Sequence, residues 1–352
     1  MTTFINGRFL TQHTSGVQRF AQEVVKALDT RFAAAPPVEP WEVLVPPGAI
    51  ADLGLKAIPV RQVGTRGGHP WEQTELAWHA RGGRLVNLCN SGPVLHRRSL
   101  TVIHDAMIYR TPGNFSRAYR TVHGTLGHVL ARTSRIATVS EFSRRELKDV
   151  LGVDVAGVIP NSCEHVARVP PDAAVLDRLG VSPGGYLLFV GSPAPNKNLK
   201  AAIAGLERLG AAAPKFVIVG AAHKAVFSGG TQADNDRVIF SGRLTDAEIV
   251  ALYQNASALL FPSLYEGFGI PPLEAMVLGC PVLSSDIPPV REVCADAARY
   301  FDARDPAAIA AAVERFLGEP DARPGMVERG RAHAAAFSWA RSAEALLAAL
   351  ND

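Results

Sequence analysis

Short apolar runs alternate with stretches of helical periodicity along the whole chain of 352 residues. This alternation is typical of βαβ units, because parallel strands need a crossover that is usually a helix. Strands are predicted in the first half of the chain at residues 3–9, 41–45, 57–63, 84–88, 100–104, 136–139 and 155–159. Helices are predicted between them at residues 16–32, 71–80, 117–132 and 141–150. The first half is therefore predicted to be a parallel α/β domain.

A second α/β series follows residues 166–175, a proline-rich stretch without periodicity that we interpret as a linker. Its strands are predicted at residues 186–190, 215–220, 237–242, 257–262 and 281–285. Its helices are predicted at residues 198–209, 246–255 and 271–278, and the Ala-rich residues 308–352 are predicted to be helical throughout.

The chain is too long for one ordinary domain and suits two. We predict Rossmann-like domains over residues 1–170 and 171–336, with a last helix over 337–352 that crosses back to the N-terminal domain. Two doubly wound domains of this kind face a central cleft. Because open α/β sheets bind ligands beyond the carboxyl ends of their strands, this cleft is the expected binding site.

Composition and charge exclude several classes of protein. Hydrophobic residues make up 47% and charged residues 20%, which excludes a disordered chain and a coiled coil. Residues 1–170 hold 20 Lys and Arg against 13 Asp and Glu, whereas the remainder hold 16 against 20. The two halves are therefore expected to meet different partners, and the net charge of +3 is too small for a nucleic-acid-binding protein.

The cysteines and the apolar runs indicate a cytoplasmic protein without a metal site. The cysteines are irregularly spaced, which argues against a disulfide scaffold or a zinc site. No signal-peptide pattern is present, and the apolar runs fall short of the roughly 18 residues of a spanning helix. Asp234-Asn235-Asp236 has the spacing of a DxD metal motif, but it precedes a strand and is interpreted as a loop.

The common nucleotide and hydrolase motifs are missing. No GxGxxG follows a strand, and neither GxxxxGK[ST] nor GxSxG occurs. Their absence argues against a dinucleotide-dependent dehydrogenase, a P-loop NTPase and a nucleophile-elbow hydrolase.

The segment FPSLYEGFGIPPLEAMVLGCPVLSSD, residues 261–286, carries the most chemical information. Gly267 and Gly269 allow a ligand to approach the backbone, and the N–H groups at the start of the following helix suit a diphosphate. Glu266 and Glu274 flank this loop, and carboxylates accept hydrogen bonds from sugar hydroxyl groups. The segment therefore predicts a site for both an anion and a sugar.

The pattern P-S-x-x-E-G-F-G-x-P-x-x-E-A-M, followed by G-x-P-V, resembles the signature of family 4 retaining glycosyltransferases of the GT-B fold, of the bacterial exopolysaccharide and O-antigen type. The resemblance covers nearly the whole chain and implies two Rossmann-like domains. The other matching segments, in the order of the family, are SGVQRFAQEVVKAL (15–28), TVIHDAM (101–107), VSEFSRREL (139–147), VIPN (158–161), LLFVGSPAPNKNLK (187–200), FSGRLTDAEIVALYQNASALLFPS (240–263) and FSW (337–339).

The resemblance implies a donor site in the second domain. Glu266 would lie near the hydroxyl groups of the donor sugar and act in catalysis, and Glu274 would hold the ribose of the nucleotide. Lys197 would stabilise the diphosphate leaving group and so is also a predicted catalytic residue. The backbone N–H groups that meet the sugar or the diphosphate would come from Gly267, Phe268 and Gly269.

The resemblance also implies roles for further residues, most of them in the first domain. His104 would lie near the anomeric carbon as a catalytic residue, with Asp105 beside it on the acceptor side. Gly16 would let the first domain approach the phosphates. Asn161 would line the hinge on the acceptor side, and Arg243 would line the base pocket.

The sequence departs from the family pattern at one place, among the residues expected to bind the diphosphate. Many relatives carry an arginine at one of two positions near the lysine, and these positions are Ser192 and Asn196 here. The lysine and this arginine would together form a clamp that binds the diphosphate. The arginine of this clamp is therefore missing, or another residue such as Arg243 supplies its role.

We therefore expect a retaining, metal-independent hexosyltransferase that needs no cofactor. It would transfer a hexose, with mannose from GDP-mannose favoured, from a nucleotide-diphosphate sugar to a saccharide or lipid-linked acceptor in surface polysaccharide synthesis. The basic first domain fits peripheral contact with the anionic inner face of the plasma membrane. Two alternatives remain: a nucleotide-sugar 2-epimerase on the same architecture, and a catalytically silent module that binds sugar nucleotides.

Overall fold

A computed structural model of the chain describes residues 1–49, 52–220 and 236–351, which divide into two compact units. The first unit comprises Met1–Ser162 and Ser338–Asp352, and the second comprises Cys163–Phe337. The chain thus enters the second unit before the predicted division at residue 170. Of the DxD-like sequence, Asp234 and Asn235 lie outside the described residues.

The first unit is built on a parallel sheet with the strand order β3-β2-β1-β4-β5-β6-β7. Its strands are β1 Thr3–Asn6, β2 Trp41–Val45, β3 Val60–Gln62, β4 Arg84–Asn87, β5 Ser99–Val102, β6 Arg135–Thr138 and β7 Gly157–Val158.

The second unit is built on a parallel sheet with the order β10-β9-β8-β11-β12-β13. Its strands are β8 Tyr186–Val190, β9 Lys215–Val219, β10 Val238–Gly242, β11 Ala258–Phe261, β12 Val282–Ser285 and β13 Ala298–Phe301. The two parallel Rossmann-like sheets confirm the predicted α/β fold class.

Helices connect the strands in both units. In chain order they are α1 Gly16–Ala34, α2 (Gly68–Pro70, continued by the π-helical segment Trp71–Leu76 and by Ala77–His79), α3 Met107–Arg110, α4 Arg117–Thr133, α5 Glu141–Leu151, α6 Ala174–Leu179, α7 Leu199–Glu207, α8 Asp246–Asn255, α9 Ile270–Val277, α10 Pro288–Cys294, α11 Pro306–Gly318, α12 Arg323–Ala334 and α13 Trp339–Asn351.

The strand predictions are confirmed, and β2, β8 and the helix α8 have the predicted bounds. The predictions missed the strand β13, because Arg299 and Tyr300 at its centre are only half-buried and interrupt the apolar run. Residues 308–352 are not helical throughout, since a 3-10 turn at Pro320–Ala322 and residues 335–338 separate α11, α12 and α13.

The prediction of a linker at residues 166–175 was wrong. Val166–Arg168 forms a 3-10 turn, and α6 begins at Ala174. Val175 is fully buried, and the Asp172 N–H donates to the Ala247 carbonyl oxygen at 3.0 Å. The prolines therefore belong to a packed segment of the second unit.

The strand order of each sheet reverses at one pair of neighbouring strands. In the first sheet the chain runs from β1 to β3 on one side and then returns to β4 on the other side of β1. In the second sheet the equivalent neighbours are β8 and β11. Ligands of open α/β sheets bind beyond the carboxyl ends of the strands at such a reversal.

The helix α13 groups with the first unit, although the second unit precedes it in the chain. The Trp339 ring lies 6.2 Å from the Phe20 ring of α1, measured between centroids. Ser342 Oγ donates to the Pro160 carbonyl oxygen at 2.6 Å, and Leu346 is fully buried. The first unit is therefore assembled from two segments that are far apart in sequence.

Candidate active site

Lys197 and Glu266 form a buried ion pair at the strand reversal of the second sheet. Lys197 ends the 3-10 turn that follows β8, and Glu266 lies in the loop that follows β11. Lys197 Nζ lies 2.5 Å from Glu266 Oε1, and the two side chains are only 15% and 11% exposed. Such a pair is weakly screened by salt. Its ammonium group can exchange the carboxylate for a phosphate oxygen of a ligand.

Asn196 connects the two loops that carry this ion pair. Its side chain is buried, its Nδ2 donates to the Tyr265 carbonyl oxygen at 3.1 Å, and its own carbonyl oxygen accepts from the Leu264 N–H at 2.7 Å. One of the two positions where an arginine was expected therefore holds a neutral residue that fixes the loops. Ser192, at the other position, is exposed.

The glycine loop before α9 offers backbone donors. Gly269 has a φ of 114°, a conformation that strains any L side chain, and it directly precedes α9. Among the described residues, the N–H groups of Phe268, Gly269 and Ile270 donate no hydrogen bond. Pro271 and Pro272 have no N–H group, so the helix supplies fewer donors in its first turn than the sequence analysis expected. The available donors come from the loop and from Ile270.

The Phe268 side chain is part of the core of the second unit. It is 5% exposed, and its ring meets the Phe337 ring edge to face with centroids 5.9 Å apart. Only the backbone of Phe268 is therefore placed to meet a ligand. The neighbouring Gly267 and Gly269 are also buried, so the loop has a fixed path.

Glu274 is oriented by a tyrosine that the sequence analysis did not identify. Tyr253 OH donates to Glu274 Oε2 at 3.1 Å and lies 3.4 Å from the Pro271 carbonyl oxygen. Burial, together with the Glu274 charge, raises the pKa of Tyr253 well above its usual value, so the hydroxyl stays protonated and donates. No pattern in the sequence marks Tyr253, because it lies inside an ordinary helical stretch of α8.

Glycines bring the carboxyl ends of three strands close together. The Gly191 N–H donates to the Val219 carbonyl oxygen at 3.1 Å, and the Gly220 N–H donates to the Gly242 carbonyl oxygen at 2.8 Å. A Cβ atom on Gly220 would lie 2.7 Å from the Gly191 carbonyl oxygen, so a side chain there would clash with backbone. These contacts shape the surface next to the Lys197 turn.

Arg243 is not brought together with the ion pair. It follows β10, the edge strand of the sheet, whereas Lys197 follows β8 and Glu266 follows β11. Its side chain is exposed, and among the described residues it forms no ion pair with either Glu266 or Glu274. The structure therefore does not identify Arg243 as the replacement for the expected clamp arginine.

His104 follows β5 in the first unit and is held as a neutral imidazole. Its Nε2 lies 2.9 Å from the Leu88 carbonyl oxygen, which requires the ring proton on Nε2. Its backbone N–H donates to Asn90 Oδ1 at 2.7 Å, and its ring meets Phe20 edge to face. Burial lowers the pKa of His104 to about 4. Near neutral pH the remaining Nδ1 can accept a hydrogen bond from a hydroxyl group but cannot donate a proton.

The other predicted residues of the first unit differ in exposure and in local contacts. Gly16 is the exposed first residue of α1, and Asp105 Oδ1 accepts from the Met107 N–H at 2.8 Å at the start of α3. Asn161 follows β7, two strands from β5, so its backbone lies about 10 Å from the His104 strand. Asn161 is buried, and its Oδ1 has no hydrogen-bond partner among the described residues.

Two features are absent from the described part of the chain. Residues 1–49, 52–220 and 236–351 contain no group of three or more His, Cys, Asp and Glu side chains arranged to hold a metal ion. Within the same ranges, no helix is both long enough and apolar enough to cross a membrane.

The class of protein follows from the fold together with this site. Residues 181–333, which include Lys197, Glu266 and Glu274, match the family described as Glycosyl transferases group 1. The chain has the GT-B fold, and its residues 181–333 form a domain that is similar to this family.

Individual proteins similar to this chain carry related names. The O-antigen chain mannosyltransferase B of Escherichia coli is 28% identical over 257 residues, which cover 69% of this chain and 67% of that protein. The O-antigen chain mannosyltransferase RfbU of Salmonella typhimurium is 34% identical over 236 residues, which cover 65% of this chain and 64% of that protein. The matched segments thus span about two thirds of these relatives.

A solved structure with the same fold is that of HepE from Anabaena in complex with UDP-glucose. It superimposes with a TM-score of 0.73, covering 97% of each chain at 17% sequence identity. At this level of identity the likeness establishes the fold alone.

Proposed function

We propose that this protein is a retaining hexosyltransferase that transfers mannose from a nucleotide-diphosphate sugar, with GDP-mannose favoured, to a saccharide or lipid-linked acceptor in surface polysaccharide synthesis. The observation that carries the proposal is the buried Lys197–Glu266 pair beside the glycine loop of a group 1 glycosyltransferase domain. The names of the two O-antigen relatives favour mannose. The nucleotide sugar is a substrate, and no cofactor is part of the proposal.

The second unit would stabilise the leaving group. Lys197 would exchange Glu266 for the diphosphate, and the N–H groups of Phe268, Gly269 and Ile270 would donate to the same oxygens or to the sugar. Glu266, once released, would accept hydrogen bonds from the sugar hydroxyl groups. Because the ammonium group and the amide groups supply positive charge to the leaving group, we propose that the reaction needs no divalent metal.

The state of the carboxylates supports a front-face displacement rather than a covalent intermediate. Retaining glycosidases place two carboxyl groups on either side of the bond, one of them as a nucleophile. Here the sugar hydroxyl groups would engage Glu266 once the donor is bound, and Tyr253 holds Glu274. The bond from the anomeric carbon to the diphosphate would break as the acceptor oxygen bonds to the same face, and the acceptor proton would pass to the departing diphosphate. His104, as a neutral acceptor, would orient a sugar hydroxyl group.

Nucleotide-sugar binding is the first test of this proposal. At a concentration of about 100 times its Kd, the correct donor stabilises a protein by about 2.7 kcal/mol. In units of 150–250 residues this corresponds to a rise in Tm of about 5–10 °C. We expect GDP-mannose to give the largest shift in a panel with UDP-glucose, UDP-GlcNAc and TDP-glucose. A panel in which no member raises the Tm would contradict the donor site.

Product analysis by NMR separates the proposal from its alternatives. With the donor from that panel and a saccharide acceptor, the anomeric proton of the product should show the donor configuration, with EDTA present or absent. Conversion of the donor without acceptor would indicate an epimerase. Donor binding without release of nucleotide diphosphate for any acceptor would indicate a silent binding module.

We also propose that the first unit makes peripheral contact with an anionic membrane at its cytoplasmic face. In support, α4 exposes Val122 beside Arg117 and Arg120, and residues 1–170 carry the basic excess of the chain. Near an anionic membrane surface, each basic residue contributes about 1 kcal/mol to the free energy of membrane binding. The protein should co-sediment with vesicles that contain phosphatidylglycerol more than with pure phosphatidylcholine, and added salt should weaken the effect.

A matched pair of variants tests which unit makes this contact. The double variant Arg117→Glu/Arg120→Glu should reduce the fraction bound, whereas Arg208→Glu/Arg304→Glu, at exposed positions of the second unit, should not. Equal binding to both kinds of vesicle rules out the membrane contact.

A further inference from the structure

The strand reversal of the first sheet carries a buried polar cluster that none of the roles above uses. Asn6 is the last residue of β1, and Asn87 is the last residue of the neighbouring β4. Asn6 Nδ2 donates to Asn87 Oδ1 at 3.0 Å. Because a ligand of an open α/β sheet lies beyond the carboxyl ends at such a reversal, these side chains mark the place where a ligand of the first unit would bind.

A fully buried carboxylate organises this cluster. Glu72 Oε1 accepts from Asn6 Nδ2 at 2.8 Å, from Arg8 Nε at 3.1 Å and from Ser91 Oγ at 3.0 Å. Its other oxygen, Oε2, lies 3.2 Å from His69 Nδ1. Burial opposes ionisation, but the donors from His69 and the Arg8 charge outweigh it and hold the pKa of Glu72 below its usual value. Glu72 is therefore an ionised acceptor that fixes its neighbours.

Such an arrangement is costly to fold and is therefore informative. Glu72 has no exposed surface, Arg8 is only 9% exposed, and a buried ion pair is often no more stabilising than apolar side chains of the same volume. Glu72 also lies in the π-helical segment Trp71–Leu76 of α2, and π-helical turns occur frequently at functional sites. Both observations indicate that the cluster serves binding rather than stability.

A row of aromatic rings runs from this cluster along the first turns of α4. The His69 and His123 centroids are 5.4 Å apart, His123 and Tyr119 are stacked at 4.0 Å, and Tyr119 and Phe115 are stacked at 5.4 Å. Stacked rings have few accessible rotamers, so their polar atoms are pre-organised. The row thus presents imidazole nitrogens and a phenol in fixed positions while Tyr119 remains 47% exposed.

Charges of both signs lie near the polar ends of this row. Burial raises the pKa of Tyr119, the Asp105 carboxylate raises it further, and the Arg8 guanidinium lowers it. Burial lowers the pKa of His123, as do the nearby His69 and Arg8. Tyr119 therefore lies within electrostatic range of both Arg8 and Asp105. A mixed set of donors and acceptors suits hydroxyl groups, whereas the carboxylates Glu72 and Asp105 would repel a phosphate.

We propose that Arg8, His69, Tyr119 and His123 form the acceptor subsite and bind the hydroxyl groups of the acceptor saccharide, with Glu72 as the positioning residue that fixes Arg8 and His69. This inference rests on the proposed function, since it names the site of the second substrate. Arg8 is well placed for it, because among the described residues its Nη1 donates no hydrogen bond, while Nε and Nη2 are held by Glu72 and Ser91.

Direct binding of simple glycosides tests the subsite without any transfer reaction. The full chain is titrated by saturation-transfer NMR with p-nitrophenyl α-mannoside, α-glucoside, β-galactoside and β-N-acetylglucosaminide. We expect at least one of them to bind the wild-type protein. Tyr119→Phe, which removes one hydroxyl and keeps the ring in the row, should raise its Kd about three- to tenfold. Glu72→Gln should raise it more than tenfold, and Glu72→Asp should recover part of that loss.

Matched controls separate a binding role from a structural one. Glu75 lies one turn further along α2 and accepts hydrogen bonds from the Thr65 and Arg66 N–H groups. The variant Glu75→Gln should therefore leave the Kd for the glycoside unchanged. In the Tyr119 and Glu72 variants, the rise in Tm produced by GDP-mannose should match that of the wild type, because the donor site lies in the other unit.

The outcomes distinguish this inference from the proposed function. A wild-type protein that binds none of the four glycosides overturns the subsite, as does a Kd that Tyr119→Phe and Glu72→Gln leave unchanged. If instead no nucleotide sugar raises the Tm while the glycoside results are as expected, the proposed donor chemistry fails and the saccharide site stands.

Discussion

Replacing Lys197 with glutamine should lower kcat/KM for sugar transfer by about 100- to 1000-fold, the range observed when one donor to a developing oxyanion is removed. Lys197 Nζ is the cation at the strand reversal of the second sheet, and its side chain is only 15% exposed, so water screens its charge weakly. Glutamine keeps a hydrogen-bond donor for Glu266 but loses the charge. The loss should appear mainly in kcat, because the charge on the leaving group grows in the transition state.

The matched control lies three residues further along the chain. Lys200 is exposed at the start of α7, so Lys200→Gln removes the same charge from a solvated position and should change kcat/KM by less than twofold. A Tm close to that of the wild type would show that Lys197→Gln is folded. Equal kinetics for the two variants would refute the assignment of Lys197 to the leaving group.

Replacing Glu274 with alanine should raise the Kd for the nucleotide sugar about 10- to 100-fold. This corresponds to the loss of a hydrogen bond to a charged group, about 1.5–3 kcal/mol. Tyr253 OH already orients the carboxylate of Glu274, which can therefore accept from a ribose hydroxyl with little loss of side-chain entropy. Isothermal titration with GDP-mannose and with GDP measures the effect, which should be similar for both ligands because the ribose is common to them.

Two further variants test the mechanism of this effect. Tyr253→Phe removes only the orienting hydroxyl and should raise the Kd about threefold, in the same direction as Glu274→Ala but by less. Glu314→Ala, at an exposed position of α11, should leave the Kd unchanged. If Glu274→Ala weakens the binding of GDP-mannose but not the binding of GDP, the carboxylate contacts the mannose rather than the ribose.

The fold could be predicted from the sequence because buried parallel strands have a strong signature. YLLFV in β8 and ALLF in β11 are apolar on both faces, as strands covered by helices on each side must be. Elements without that signature were missed. The edge strand β13 has half-buried residues at its centre, and α6 follows prolines that local reasoning assigns to a linker.

The candidate site was predictable only where function depends on residue type in a local pattern. The Glu266 loop and the helix α9 could be found because glycines, prolines and carboxylates lie within a few positions of one another. The pairing of Lys197 with Glu266, and of Tyr253 with Glu274, joins different strands and helices. Such pairings depend on the order of the strands in the sheet, and the pattern of apolar residues along the sequence does not specify that order.

The cluster around Glu72 illustrates the same limit. Its members come from β1, the turn after β1, the helix α2 and the loop after β4, and each one taken alone resembles an ordinary polar residue. Only the order β1-β4 at the centre of the sheet brings them together.

The position of α13 has a consequence for biosynthesis. A ribosome completes the strands of the first unit long before it reaches Trp339, so the contact between Phe20 of α1 and Trp339 can form only after most of the chain has been made. The second unit, contiguous from Cys163 to Phe337, has no such delay. Because contacts between distant segments form slowly, the half that is translated first is the half that matures last, and until then it exposes an apolar helix face to chaperones and proteases.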